Sequence, residues 1–197
     1  MFKRMDSIRI KTPIVQTDIH PLIQKRWSPL AFADKPISEG QMEELFEAAA
    51  WAPSAFNEQP WEYVYAHRGT EGFEKLWSCL AQGNQPWTKS ASVLLVALYK
   101  NTFSRNGKPN PWGSHDLGMA SAQLLLQAVH RDIYGHLMAG FDKAKLSALL
   151  NLEENVSPVC MGALGYLGHA ESLDGAFKTR ELSARSRQPV SVFTKRV

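Results

Sequence analysis

The clearest periodic signal along the chain begins at Ser38. Met42, Leu45, Phe46 and Ala49 recur at helical spacing and define one apolar face. Ser38 with Gln41 three residues later is a capping-box pattern, and Glu39, Glu43 and Glu44 suit the positive end of the helix dipole. Pro53 is expected to stop this helix, because the residue before a proline is pushed out of the helical region. EYVYAH, Glu62 to His67, then alternates as a strand does. GTEGFEKLWSCLAQGN, Gly69 to Asn84, predicts a helix with Phe73, Leu76, Trp77 and Leu80 on one face. ASVLLVALY, Ala91 to Tyr99, is a continuous apolar run of strand length, the pattern of a central strand covered on both faces.

Lys100 to Ser114 is polar and carries glycine and prolines, so it reads as a loop. From Ser114 to about Arg131, Leu117, Met119, Leu124, Leu125, Leu126 and Val129 predict a long helix that is apolar almost all round. Such a helix belongs in a core or a subunit interface. DKAKLSALLNL predicts a short helix capped by Asp142, and SPVCMGALGYLG, Ser157 to Gly168, a last strand. HPLIQKRWS suggests a short helix or turn, whereas residues 1–20 show no period and suggest an irregular terminus. Long helices with a few strands and no regular β-α-β rhythm indicate an α+β domain.

The length, 197 residues, suits one domain with a sizeable core. No apolar stretch is long enough to span a bilayer, so no membrane association is expected. The N-terminus lacks an apolar signal core, and the 2 cysteines, Cys79 and Cys160, form no CxxC pair; a cytoplasmic location is the expectation. The formal charge of +3 is unevenly spread. Residues 1–26 and 171–197 are basic, and the body between them is acidic. No continuous basic stripe with interleaved aromatics runs through the chain, so nucleic acid is not an expected partner. Two basic ends suit a small anion such as a phosphate.

Familiar catalytic motifs are missing. The glycines of GALGYLG do not form a GxGxxG turn between strand and helix, and are read as easing close packing around a strand. There is no GxxxxGK[ST] loop, GxSxG elbow or HExxH pair, and no metal site is expected. Three segments remain. KRWSPLAF offers Arg26 and Ser28, a fixed cation and a hydroxyl suited to phosphate. APSAFNEQPW holds small and amide side chains between Pro53 and Pro60. ARSRQPVSVF places Arg185 and Arg187 in alternation, facing one way if extended.

Five stretches in order, RWSPLAF, AAWAPSAFNEQPWEYVYA, HDLGMASAQLLLQAV…GHLMAGFD, GALGYLG and RSRQPVSVF, resemble the nitroreductase family of FMN-dependent oxidoreductases over about Lys25 to Phe193. The resemblance implies a nitroreductase-like α+β fold, a central and mostly antiparallel sheet wrapped by helices, assembled as an intertwined homodimer with FMN at the interface. It divides the chain into an N-terminal extension, 1–24, and one domain, 25–197, ending in a tail, 171–197. It also implies roles. Arg26, Trp27 and Ser28 would contact FMN from one subunit, with Arg185 and Arg187 completing the phosphate site. Pro53, Ser54, Ala55 and Asn57 would reach the flavin from the partner, and Asp116 would lie near the ribityl chain or ring. Met138, Ala139 and Gly140 would lie along the ring, with the N–H of Ala139 or Gly140 towards flavin N5.

Three positions depart from the family pattern. Leu30 stands where a basic residue is common, Ala55 replaces a common serine, and Ala139 stands where some members have a glutamate. The activity implied is passage of hydride from NAD(P)H through flavin N5 to nitroaromatic, quinone or similar electron-poor acceptors, by a ping-pong cycle. That chemistry resides in the cofactor and calls for no protein nucleophile. Phe56, Trp87, Phe103 and Trp112 are aromatic candidates for the acceptor pocket. The alternatives are an FMN-binding storage or sensor protein, or another flavin reaction of the family such as flavin fragmentation, dehalogenation or azoline oxidation.

Overall fold

A computed structural model describes residues 6–197. The part of the expected irregular terminus that falls on residues 1–5 lies outside them. From Asp6 onward the N-terminal segment is more regular than its sequence suggests. It opens with α1 (Asp6–Lys11) and continues to α2 (Pro21–Lys25), α3 (Glu39–Ala50) and β1 (Trp61–His67). α4 (Glu71–Trp77), α5 (Gln85–Thr88), β2 (Val93–Lys100) and α6 (Gly113–His130) follow. The chain ends with β3 (Ile133–Met138), α7 (Lys143–Leu150), β4 (Val156–Tyr166), α8 (Gly175–Glu181) and the short α9 (Val190–Phe193).

The four strands form one antiparallel sheet in the order β1-β2-β4-β3. β2 is central, and its side chains explain its unbroken apolar run. Leu94, Val96 and Leu98 point into a core with Phe73, Leu76, Trp87 and Met161. Val93 and Leu95 point to the other face, into a core built by Met42, Leu45, Leu124, Leu125 and Ala128. The sheet is thus a middle layer, with α3 and α6 on one side and α4, α5 and α7 on the other. α3 is capped as its sequence predicts: Ser38 Oγ accepts the Gln41 N–H at 3.3 Å, and Gln41 Oε1 accepts the Ser38 N–H at 3.0 Å.

Two elements differ from the sequence expectation. The helix expected across Gly69–Asn84 ends at Trp77. Beyond it Leu80 bridges to Phe141, and the Ala81 N–H bonds to the Gly140 carbonyl at 3.0 Å, so tertiary pairing replaces the next helical turn. Gln85 Nε2 donates to the carbonyl of Leu80 at 3.1 Å, which is left without a helical partner. The other difference is β3, which the pattern did not announce. Its residues IYGHLM alternate between two buried environments: Ile133 and Leu137 face α6, whereas His136 and Met138 face the opposite core.

Glycines set the distance between β4 and the segment after Ser28. The Ala33 N–H donates to Tyr166 O and the Gly168 N–H to Ala31 O, both at 2.9 Å, and Phe32 bridges to Leu167. A Cβ at Gly165 would lie 2.6 Å from Phe32 Cδ1, and one at Gly168 would lie 2.6 Å from the Phe32 carbonyl carbon. This is the close packing expected of GALGYLG. Gly168→Ala should therefore destabilise the fold by about 1–3 kcal/mol through overpacking against backbone. A lower urea midpoint with an unchanged m-value is the expected result.

Candidate functional site

The two basic ends of the chain meet. Lys11, Arg26, Trp27, Ser28, Arg185 and Arg187 line a cavity of about 200 Å³. α2 delivers Arg26 as its C-terminal cap, and the His20 side chain accepts the Leu22 N–H at the other end. Arg185 holds the tail against this turn, donating to the Arg26 carbonyl at 2.6 Å and to the Gln24 carbonyl. Arg187 is exposed and, among the described residues, bonds only to the neighbouring Ser186 carbonyl, at 2.7 Å, which leaves further donors of its guanidinium without a partner there. Burial, then the adjacent Arg187, lowers the pKa of Arg26; burial, then Arg26 and Arg187, lowers that of Arg185. Both shifts arise from partly desolvated cations lying near one another.

Glu181 lies beneath this cluster. Its side chain is buried, and Oε2 accepts the Leu30 N–H at 2.7 Å. Burial pushes its pKa up, against the Leu30 N–H and the Lys11 charge that pull it down. Trp27 Nε1 is close enough to influence Glu181, yet it finds no partner in full hydrogen-bond geometry. Trp27 packs on Tyr134 with ring centroids 4.6 Å apart. Leu30 itself is in the core, where no basic residue could reach outward.

The open edge of β3 runs from Tyr134 to a second group of expected residues. Met138 turns its side chain into the core, which leaves only its backbone at the rim. Ala139 is exposed, and neither its N–H nor that of Gly140 has an acceptor among the described residues. The Gly140 carbonyl is fixed by the Ala81 N–H and by Asn84 Nδ2 at 2.9 Å. A Cβ at Gly140 would lie 2.7 Å from that nitrogen, so a larger residue here would displace the Asn84 side chain that fixes the carbonyl. His136, one turn of the pleat away, stacks on Trp87 with centroids 4.6 Å apart, and its Nδ1 meets the Pro29 carbonyl at 2.9 Å. It ties β3 to the Arg26–Ser28 turn. Trp87 is therefore a core residue rather than part of an acceptor pocket.

Pro53 to Pro60 forms the third part, and it is strained. Phe56, Asn57 and Gln59 have φ of 57°, 55° and 50°, a left-handed region unusual for a bulky aromatic residue. The Ala55 N–H donates to Asp116 Oδ2 at 2.9 Å, and the Gln59 N–H to Ser54 Oγ at 3.0 Å. Asp116 is 2% exposed, and its other oxygen lies 3.2 Å from His115 Nδ1. Within one chain Asp116 thus holds the loop rather than a ligand. Phe56 is left exposed, edge-on to the largely buried Phe103, with Arg105 stacked 4.0 Å over its ring.

These parts are not all together in one chain. The loop precedes Trp61, which pairs with Tyr99, and Tyr99 pairs with Ser157 at the start of β4. The cation cluster adjoins Tyr134, whose strand begins opposite Tyr166 at the far end of β4. Those positions are about 30 Å apart along β4 at ordinary strand rise. The Gly140 rim and the loop also lie on opposite edges of the sheet, separated by β2 and β4. Sequence reasoning found the arginines and the loop, but missed Lys11, Glu181, His136 and the anchoring role of Asp116.

The chain thus combines an α+β fold with a cluster of cations beside an open sheet edge. A model of the family described as "Nitroreductase family" matches residues 23–85 and 78–166, and the chain belongs to that family. A solved structure described as an oxidoreductase containing FMN is 33% identical, with a TM-score of 0.88, covering 92% of this chain and 93% of that one. A nitroreductase family protein from Streptococcus pneumoniae TIGR4 shares the fold at 22% identity and a TM-score of 0.69, covering 89% and 98%. A Streptomyces coelicolor relative named "Putative NADH dehydrogenase/NAD(P)H nitroreductase" is 38% identical over 73 residues, 37% of this chain and 36% of that relative.

Removing the Asp116 carboxyl should release the strained loop. Asp116→Ala leaves the Ala55 N–H without its partner and should cost about 1–3 kcal/mol. Hydrogen exchange should accelerate at Ala55–Asn57 while β2 stays protected; unchanged exchange in the loop would show that Asp116 does not hold it.

Proposed function

We propose that the chain is an FMN-dependent NAD(P)H oxidoreductase that works as a homodimer on small electron-poor acceptors such as nitroaromatics and quinones. The observation that carries this reading is the cation cradle standing at one end of the open β3 edge, with free N–H groups at Ala139 and Gly140 at the other. A cavity of about 200 Å³ takes a phosphate but not a whole flavin nucleotide, so the ring would extend along the edge towards those donors. When bound, FMN supplies hydride and electron transfer between NAD(P)H and the acceptor, by a ping-pong cycle if one open face serves both.

The chain's own residues then have positional roles. Arg26 and Arg187 would hold the phosphate dianion with charge-assisted bonds, and Ser28 would add a hydroxyl. Ala139 or Gly140 would offer a backbone N–H to flavin N5. Ser54, Ala55 and Asn57, held by Asp116, would approach the ring from a second copy, because the sheet separates them from the cradle of their own chain. An exposed stripe on α6, including Gly118 with open space around it and Ala122, offers that copy a close-packing face. Phe56 and Trp112, both exposed, would frame the acceptor side.

The purified protein should be yellow or take up FMN. NADH or NADPH should bleach the flavin anaerobically, and a quinone should restore its colour. Failure to take up FMN would defeat the reading, and bound flavin that neither nucleotide reduces would favour a storage or sensor role. Arg26→Ala combined with Arg187→Ala should weaken FMN binding about a hundredfold or more, since two bonds to a charged group are lost.

A further inference from the structure

We infer that α1, which lies before the matched part of the family, completes the cradle. On this inference, Lys11 is a fourth cation that selects phosphorylated flavin over unphosphorylated flavin. The inference rests on the FMN reading and deepens it. Lys11 lines the same cavity as Arg26, Ser28, Arg185 and Arg187. Its ammonium donates to the Arg180 carbonyl at 2.8 Å, a bond that fixes where the charge sits. An ammonium has three donors, and this bond uses one of them. Burial, against the pull of Glu181 and with the neighbouring Arg185 and Arg180, lowers the pKa of Lys11.

Among the described residues, dense packing of α1 does not account for the buried lysine. Only Ser7 and Lys11 of this helix are buried. Beneath it lies a second cavity of about 590 Å³, roofed by Ile8, Lys11 and Thr12 and floored by Trp27, Tyr134 and Tyr166. A helix seated over a space of this size gains little from burying a charge. Lys11 belongs to both cavities, and the smaller one gathers the cations. Three of the four positive groups, Lys11, Arg26 and Arg185, are partly desolvated, and a dianion would offset the repulsion within the cluster. Riboflavin has the same ring and ribityl chain but no phosphate, so Lys11 should be indifferent to it.

Lys11→Met keeps the stem that roofs the larger cavity and removes the charge; Lys11→Gln serves as a second variant. Both are titrated with FMN and with riboflavin by flavin fluorescence, and exchange at α1 is followed by mass spectrometry. FMN affinity should fall about tenfold to a hundredfold with riboflavin affinity unchanged. FMN, but not riboflavin, should slow hydrogen exchange in α1 of the unmodified chain. Unchanged FMN affinity in both variants overturns the inference and leaves the cofactor reading intact. Equal weakening for the two flavins also overturns it, because Lys11 would then support the fold and not the phosphate. An unmodified chain that binds neither flavin overturns the cofactor reading, and the inference with it.

Discussion

The candidate site depends on holding like charges together, three of them partly out of water. Arg26, Arg185, Arg187 and Lys11 share one small cavity, and burial lowers the pKa values of Lys11, Arg26 and Arg185. For the Arg185 guanidinium, backbone carbonyls stand in for water. Arg185 spends its donors on Gln24 and Arg26, which fastens the C-terminal tail to the turn after α2. Glu181 lies buried below the same turn and holds it by accepting the Leu30 N–H. The cradle is thus assembled from both ends of the chain, and neither end could form it alone.

The rest of the fold supplies a floor and a distance. β4 passes under Phe32 with glycines where side chains would collide, and this lets the Arg26–Ser28 turn sit close to the sheet. His136 reaches from β3 to the Pro29 carbonyl and braces that turn from the other side. At the opposite corner, Asp116 fixes a loop with three left-handed residues. A bulky residue such as Phe56 adopts that conformation only where its surroundings enforce it. The chain therefore invests order in two places that it cannot itself bring into contact. That separation, rather than any apolar patch, is the strongest structural argument for a second copy.

Much of the architecture was legible in the sequence, because its signals are local. Ser38 and Gln41 announce a cap, Pro53 a stop, and the apolar run at Ala91–Tyr99 a doubly covered strand. β3 was hidden because both faces of IYGHLM meet core, which removes the alternation that marks a half-exposed strand. Lys11 was hidden for another reason. Its anchor at Arg180 is 169 residues away in sequence, and six residues of DSIRIK are too few to show a period. Glu181 and His136 likewise act through partners 151 and 107 residues distant. The left-handed backbone at Phe56 has no signal at all, since no glycine marks it.

The same contrast explains why the arginines could be read from residue chemistry, whereas Met138, Ala139 and Gly140 were expected only through the family resemblance. A phosphate must be met by charge, and charge is carried by side chains whose identity is written in the chain. A ring edge can be met by a backbone N–H, and Ala139 offers one whatever its side chain. What matters there is that no neighbour consumes the donor, and that the strand ends where the donor becomes free. Both conditions are set by Asn84 and Ala81 gripping the Gly140 carbonyl, contacts made across more than fifty residues. Substitution at Ala139 should therefore matter less than substitution at Asn84 or Gly140. The rim is defined by how its backbone is held, which the residue types alone do not show.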